Sequence, residues 1–304
     1  MKVAYKTTYG KALHGHFQEL GSLKKYASLK GSINLIFTSP PFALNRKKKY
    51  GNYTGKEYLD WIASLAPLLA DLLSEDGSLV VEIGNAWTSG EPEMSTLPIE
   101  SLLALKKAGG FKLCQQFVWF NPAKLPSPAQ WVNVERVRVK DSFTNIWWMS
   151  RSAHPKANNR NVLDDYSKSM KKLLASGKYN HGRRPSQHNI GERSFLSDNH
   201  GSIPSNVLIA SNTSSNDRYT RYCKDNGIEI HPARMPLDIP EFFIKFLTNE
   251  SDLVLDPFSG SNSTGYAAEK LGRKWLSVEC NELYLAGSVG RFDKVSHRNS
   301  TPYV

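Results

Sequence analysis

Residues 253 to 279, LVLDPFSGSNSTGYAAEKLGRKWLSVE, constrain the fold more than any other stretch. An apolar strand ends in Asp256, a turn containing Gly260 and Gly265 opens a helix, and a second strand ends in Glu279, 23 residues after Asp256. Two strands joined through a helix pair in parallel, and such sheets are covered on both faces. Backbone N–H groups at the helix start can approach a ligand closely, while an acidic residue closing the next strand accepts hydrogen bonds from ribose hydroxyls. The glycines follow G-x-x-x-x-G rather than G-x-G-x-x-G, and no Lys-Ser/Thr follows them. A nucleoside without a pyrophosphate, with S-adenosyl-L-methionine foremost, fits that pattern better than a dinucleotide or a nucleotide triphosphate. Plain architecture accounts for the same glycines, and the spacing alone leaves both readings open.

The alternation continues elsewhere. Residues 33 to 38 and 78 to 83 read as buried strands, and 57 to 73 as a helix with Tyr58, Trp61, Ile62, Leu65, Leu69 and Leu72 on one face. Pro67 is expected to kink or split that helix. A helix over 97–108 and a strand over 112–119 follow. Helix 239–248, strand 253–256, helix 263–271, strand 275–279 and a last helix from 281 close the chain. The expected fold is α/β, with a mixed, mostly parallel sheet and helices on both faces. Residues 121–230 hold scattered Pro, Gly, Ser and Asn and short aromatic runs such as FTNIWWMS, and read as an insertion.

Charge gives that block a meaning. The chain carries a formal net charge of +11, and residues 121–230 hold 17 Lys and Arg against 9 Asp and Glu, a net of +8. A basic block attracts polyanions, above all nucleic acid, through phosphate contacts; a solvated lysine-rich surface is the alternative. The apolar runs fall short of the roughly 18 residues of a membrane span, and the start MKVAYKTTYGK lacks the apolar centre of a signal peptide, so a cytoplasmic protein with no membrane partner is expected. Cys114, Cys223 and Cys280 are odd in number and form no C-x-x-C pair, which disfavours disulfides and zinc. The eight histidines show no metal-ligand spacing, and no metal is expected.

Strand 33–38 runs directly into Ser39-Pro40-Pro41-Phe42. At the carboxyl edge of a parallel sheet, that tetrad gathers a hydroxyl, a rigid backbone carbonyl and an aromatic face where open α/β folds bind ligands. The trio suits a flat base with an exocyclic amine. If the Ser39 hydroxyl and the Pro40 carbonyl accept its two N–H bonds, the nitrogen lone pair is freed from the ring and can face a methyl donor. Phe42 would stack on a base that has left its duplex. Trp119 and Phe120, after another strand, are either further stacking residues or core. Arg46, Lys47, Lys48 and Lys49 sit just past the tetrad, as phosphate contacts or as a solvated loop. All three cysteines follow Leu, Tyr or Glu, outside the Pro-Cys setting of C5-cytosine methylation, and the H-x-E with P-C-x-x-C pattern of zinc deaminases is absent.

The chain resembles the amino-methylating DNA methyltransferases of restriction-modification systems, specifically the N4-cytosine enzymes of the β arrangement. In that order S-P-P-F comes first, the target-recognition region second and D-P-F-x-G-S last, as TSPPF at 38–42 and LDPFSGSNSTG at 255–265 do here; VWFNPAKLPSP (118–128), RVKDS (138–142), GSIPSN (201–206) and HPARMP (231–236) extend the likeness over nearly the whole chain. The resemblance implies a Rossmann-like S-adenosylmethionine-dependent fold with circularly permuted motifs: a catalytic part at 1–120, target recognition at 121–230 and a cofactor-binding part at 231–304. Ser39, Pro40, Pro41 and Phe42 would hold the target cytosine. Asp256, Pro257, Phe258, Gly260, Ser261, Asn262 and Glu279 would line the cofactor site, with His231, Pro232 and Arg234 toward its carboxylate. Where the family usually has Gly-Asp ahead of the catalytic strand, this chain has Gly15-His16, and His16 would take that place in the cofactor site. Base readers would come from a pool of Arg136, Arg138, Lys140, Arg183, Arg184 and Gln187. The implied partner is double-stranded DNA at a short palindrome. N6-adenine methylation and a DNA-binding protein without catalysis remain the alternatives.

Overall fold

The computed structural model describes residues 1–24, 26–42, 55–191, 194–212 and 216–297. Arg46, Lys47, Lys48 and Lys49 lie outside the described residues. The strands are β1 (Lys2–Lys6), β2 (Gly10–His14), β3 (Ile33–Thr38), β4 (Leu73–Ile83), β5 (Lys112–Phe120), β6 (Phe143–Ser150), β7 (Gly182–Arg183), β8 (Asn189–Ile190), β9 (Val207–Ile209), β10 (Leu253–Asp256), β11 (Lys274–Glu279) and β12 (Ser296–His297). The helices are α1 (Tyr26–Leu29), α2 (Gly55–Leu72), α3 (Leu97–Gly109), α4 (Lys168–Ser176), α5 (Arg218–Asp225), α6 (Asp238–Leu247), α7 (Ser263–Lys270) and α8 (Glu282–Ser288).

Ten strands form one sheet in the order β12-β1-β2-β11-β10-β3-β4-β6-β5-β9. From β2 to β4 every neighbouring pair is parallel, whereas β6 is antiparallel to both β4 and β5. β5 therefore runs in the same direction as β4, and both end at the same edge. The chain crosses from β3 through α2 to β4 on one side, and from β10 through α7 to β11 on the other. The gap between β3 and β10 is thus the topological switch point, where open α/β sheets bind ligands.

Alternating side chains place one apolar core on each face. Ile33, Ile36, Leu79 and Val81 pack with Ile62, Leu65 and Leu69 of α2 and with Leu102 and Leu105 of α3. Leu35, Phe37, Val80 and Val254 pack with Phe243 and Ile244 of α6 and with Ala267 of α7. Of the kink or split expected at Pro67, the split does not occur: helix α2 continues through it. Burial of its apolar face along the sheet outweighs the one backbone bond that a proline removes.

Residues 158–205 form a second compact unit, and the rest of the chain forms the first. The block 121–230 is thus not one body: the aromatic run FTNIWWMS is β6 and residues 207–209 are β9, both strands of the main sheet. Composition hid them because their pairing partners are far away in sequence. Within the second unit, Ser167 caps α4 by accepting from the Met170 N–H at 3.2 Å, and β7 pairs with β8. Arg184 donates to the Asn180 carbonyl at 2.6 Å and lies over the Tyr179 ring, while Arg183 and Gln187 are exposed.

Candidate active site

Two adjacent residues fasten the end of β3 to both of its neighbours. Thr38 Oγ1 donates to Asp256 Oδ1 at 2.9 Å on the β10 side, and Ser39 Oγ donates to Glu82 Oε2 at 2.5 Å on the β4 side. The register that pairs Thr38 with Val81 brings Ser39 beside Glu82. Phe42 lies over Gly84, so close that a Cβ there would stand 3.0 Å from the ring. Ser39, Glu82 and Phe42 therefore converge at the carboxyl edge.

Glu82 is 4% exposed, and burial pushes its carboxyl up to about 7, against the opposing pull of the Ser39 hydrogen bond and of the Lys124 charge. It is one of two candidate site residues that sequence reasoning missed. Its signal was an acidic side chain inside the apolar run SLVVEI, since an acid placed in a buried strand needs a partner.

The Asp256 turn is built the same way. Burial raises the Asp256 carboxyl to about 6, while Thr264 Oγ1 (2.7 Å), the Phe258 N–H (3.1 Å) and Thr38 donate to it. Asp256 thus pins β3, the turn and α7 together beneath the site. Asn262 adopts φ +55° at the head of α7; its Oδ1 accepts from the Gly265 N–H at 3.1 Å and from Ser277 Oγ at 2.7 Å, and its Nδ2 donates to Tyr5 Oη at 2.8 Å. Ser261 is held by Arg291, whose Nε donates to its carbonyl at 2.6 Å and whose Nη2 donates to its hydroxyl at 2.9 Å. Asp256, Ser261 and Asn262 shape the turn through bonds that point into the protein.

A second group of residues meets where β10 and β11 end. Gly260 sits at φ +48°, and a Cβ there would come within 2.9 Å of His231 Nε2, so only glycine lets backbone and imidazole approach so closely. Glu279 Oε2 accepts from the Gly260 N–H at 2.7 Å and Oε1 from the Asn281 N–H at 2.9 Å. The Ser259 hydroxyl is buried with no hydrogen-bond partner among the described residues. A buried orphan hydroxyl beside a glycine cradle and a carboxylate suits a polar nucleoside ligand, and the donor set fits S-adenosylmethionine. Ser259 escaped sequence reasoning because an unpaired buried hydroxyl is a fact of three dimensions.

Other expected site residues divide. The His231 ring packs edge-on against Tyr284, with centroids 4.3 Å apart, at the Gly260 loop. Pro232 is exposed beside it. Arg234 Nη1 instead donates to Thr220 at 2.7 Å and pairs with Asp217 at 3.2 Å, which ties it to the start of α5. The His16 N–H donates to Glu19 Oε1 at 3.1 Å, while the preceding Gly15 N–H donates to the Glu279 carbonyl at 3.1 Å. Phe258 packs on Phe17 and Trp61, and Pro257 sits between it and Asp256. Trp119 is core: it is buried, and its Nε1 donates to the Ala210 carbonyl at 2.8 Å. Arg138 donates to the carbonyls of Val137 and Pro92, which ties its loop to the segment after β4, and Lys140 donates to those of Pro122 and Lys124, within its own loop. Arg136 is exposed, at φ +58°. Among the described residues no group of three His, Cys, Asp or Glu could hold a metal ion, and no helix is long and apolar enough to cross a membrane.

Comparison with known proteins gives these positions a context. The profile of the N6_N4_Mtase family, DNA methylase, matches residues 33–289. The Type II methyltransferase M.PvuII of Proteus hauseri is 46% identical over 293 residues, 96% of this chain and 86% of that protein. The Type II methyltransferase M.BglII of Bacillus subtilis is 24% identical over 84% of this chain and 62% of its own length. Among solved structures, the PvuII DNA methyltransferase (cytosine-N4-specific) superposes with a TM-score of 0.75 at 40% identity, covering 96% of this chain and 89% of that one. The M1.HpyAVI-SAM complex superposes at 0.55 with 18% identity, covering 94% and 100%, a likeness of fold.

Proposed function

The chain belongs to the DNA methylase family, and on that footing we propose that it methylates the N4 amine of a flipped-out cytosine in double-stranded DNA, as the modification half of a cytoplasmic restriction-modification pair. The observation that carries the chemistry is the Ser39–Glu82 hydrogen bond, which joins the carboxyl ends of β3 and β4 beside the switch point. S-adenosylmethionine, when bound at the β10 and β11 turns, supplies an electrophilic methyl group on sulfonium. Phe258, Ser259, Gly260, Glu279 and His231 would hold it there.

The protein's own residues do the rest. With its hydrogen committed to Glu82, the Ser39 oxygen offers its lone pairs to one N–H of the target amine, and the Pro40 carbonyl offers a second acceptor. Both bonds draw the amine away from planarity and concentrate its lone pair. Phe42 stacks on the base. A methyl group taken from the sulfonium, which would leave as a neutral thioether, would put one proton in excess on the amine; Ser39 Oγ would accept that proton while Ser39 passes its own to Glu82. A carboxylate raised to about 7 is suited to that acceptance near neutral pH. The 158–205 unit, with Arg183, Arg184 and Gln187, and the exposed Arg136 are assigned to recognition of a short palindrome, supported by the basic surplus of 121–230.

The test is nucleoside analysis. Unmodified DNA is incubated with the purified protein and S-adenosylmethionine, digested and separated; N4-methylcytosine is expected, and modification-sensitive sequencing of the same DNA maps the site. N6-methyladenine as the product would replace this reading, and absence of any methylated base together with absence of cofactor binding would point to a DNA-binding protein without catalysis.

A further inference from the structure

Residues 121–142, between β5 and β6, leave the sheet at the same edge as Ser39 and Glu82, because β5 runs parallel to β4. The loop is fastened at many points. The Asp141 N–H donates to the Ser127 carbonyl at 2.9 Å, and the N–H groups of Val137 and Arg138 both reach the Trp131 carbonyl, at 2.9 and 3.1 Å. Lys140 Nζ donates to the Pro122 and Lys124 carbonyls at 3.1 and 3.4 Å. The Asp141 carboxylate accepts from Asn85 Nδ2 at 2.8 Å, only three residues beyond Glu82.

A segment bound this closely ordinarily turns its apolar side chains inward. Here Leu125 is 80% exposed and Val139 86%. The Lys140-to-Lys124 and Asp141-to-Ser127 bonds bring the two tips onto adjoining strands of the loop. Val134 (68%) and Val137 (49%) are exposed on the same loop, and several aliphatic groups held out in water on one loop mark an interaction surface. The charge around them selects the partner: residues 124–141 carry Lys124, Arg136, Arg138 and Lys140 against Glu135 and Asp141. That excess repels a second copy of the chain and attracts phosphates.

We propose that Leu125 and Val139 form an apolar wedge that enters the DNA duplex at the step vacated by the target nucleotide. The inference rests on the reading that a base leaves the duplex to reach Ser39, and it adds the group that occupies the gap. Aliphatic wedges take the place of lost stacking and offset the cost of opening a base step. The wedge lies on the loop whose Asp141 is bonded to Asn85, so the group that fills the gap and the pocket that receives the base are joined through one hydrogen bond and the three-residue step from Asn85 to Glu82.

The experiment uses the full-length protein carrying Leu125→Ala with Val139→Ala and two duplexes of the mapped site: one fully paired, and one with an abasic position opposite the target, where extrusion costs less. Single-turnover methyl transfer by the double variant falls about tenfold or more on the paired duplex and returns to within about twofold of the wild type on the abasic one. Affinity for S-adenosylmethionine, measured by calorimetry, stays at the wild-type value and reports an intact fold. Equal losses on both duplexes, or no loss on the paired one, overturn the wedge. So does a concentration-dependent dimer abolished by the double substitution with both duplexes affected alike, which would assign the tips to a second copy. Failure of the wild type to modify either duplex would instead count against the proposed function.

Discussion

The Ser39 hydroxyl and the Glu82 carboxylate form a hydrogen bond of 2.5 Å across the carboxyl ends of two neighbouring parallel strands. A hydroxyl whose hydrogen is already committed is an acceptor toward anything else that arrives. This polarity favours an amine substrate over a carbonyl. Ser39→Ala is therefore expected to leave cofactor and DNA affinity nearly intact while lowering the transfer rate on the order of a hundredfold, the usual cost of one transition-state hydrogen bond. Parallel losses in DNA affinity and rate would show that Ser39 acts in ground-state binding.

Glu82 sets the pH dependence. Its carboxyl is pushed up to about 7, so the proton-accepting form disappears below neutrality. Transfer under single-turnover conditions should rise with pH through about 7 and then level off. Glu82→Gln should abolish that rise and lower the plateau on the order of a hundredfold or more, the range for a lost general base. A variant that keeps the wild-type pH profile would remove Glu82 from the proton path.

The same residue costs stability. Because its folded-state pKa is raised, the protonated carboxyl stabilises the fold fully below the unfolded value near 4.3, and that contribution is lost as pH rises through about 7. Glu82→Gln keeps a neutral, hydrogen-bonding side chain at every pH. It should be more stable than the wild type at pH 8, by up to about 3 kcal/mol, and nearly equal to it around pH 4. Denaturant titrations at the two pH values decide this; an equal offset at both would place the effect outside ionisation.

Glu279 and Ser259 carry the cofactor expectation. Glu279→Ala should weaken S-adenosylmethionine binding by roughly 1–3 kcal/mol, through loss of a ribose acceptor and of the bond that holds the Gly260 N–H. Ser259→Ala removes a hydroxyl that has no internal partner among the described residues, so it should leave folding stability almost unchanged while still weakening the ligand. Calorimetry beside thermal melts separates the two; a Ser259 variant that melts lower yet binds normally would make the hydroxyl structural.

Much of this site was legible because its chemistry lies in contiguous motifs. TSPPF closes a buried strand, and the LDPFSG turn opens a helix, so local pattern located β3, β10, α7 and β11. Roles were harder to read than positions. Asp256 and Asn262 occupy the expected turn, yet their side chains point into the protein, toward Thr38, Thr264, Tyr5 and Ser277, a distinction made by packing rather than spacing. Glu82 reaches Ser39 only through a parallel register between strands 43 residues apart. β6 and β9 were concealed inside a block read by its charge, because their partners are distant and their local signals are short.

The cysteines distinguish direct from covalent transfer. An attacking thiol needs a lowered pKa, and all three here are raised. Burial pushes the Cys280 thiol up to about 11, with the Glu279 charge adding to it, and burial likewise raises Cys114 and Cys223. Cys114 lies within β5, away from its carboxyl end, and Cys223 is buried in α5 beneath Tyr219 and Gly287. Replacing all three by Ser should leave transfer within about twofold of the wild type, at a stability cost of about 1–3 kcal/mol from the hydroxyl placed at the buried position 223. The product should remain methylated at the exocyclic amine, with no methyl on ring carbon 5. Formation of 5-methylcytosine by the wild type, or loss of transfer by a cysteine-free protein that retains cooperative unfolding and cofactor affinity, would require a covalent thiolate route in place of the one built on Ser39 and Glu82.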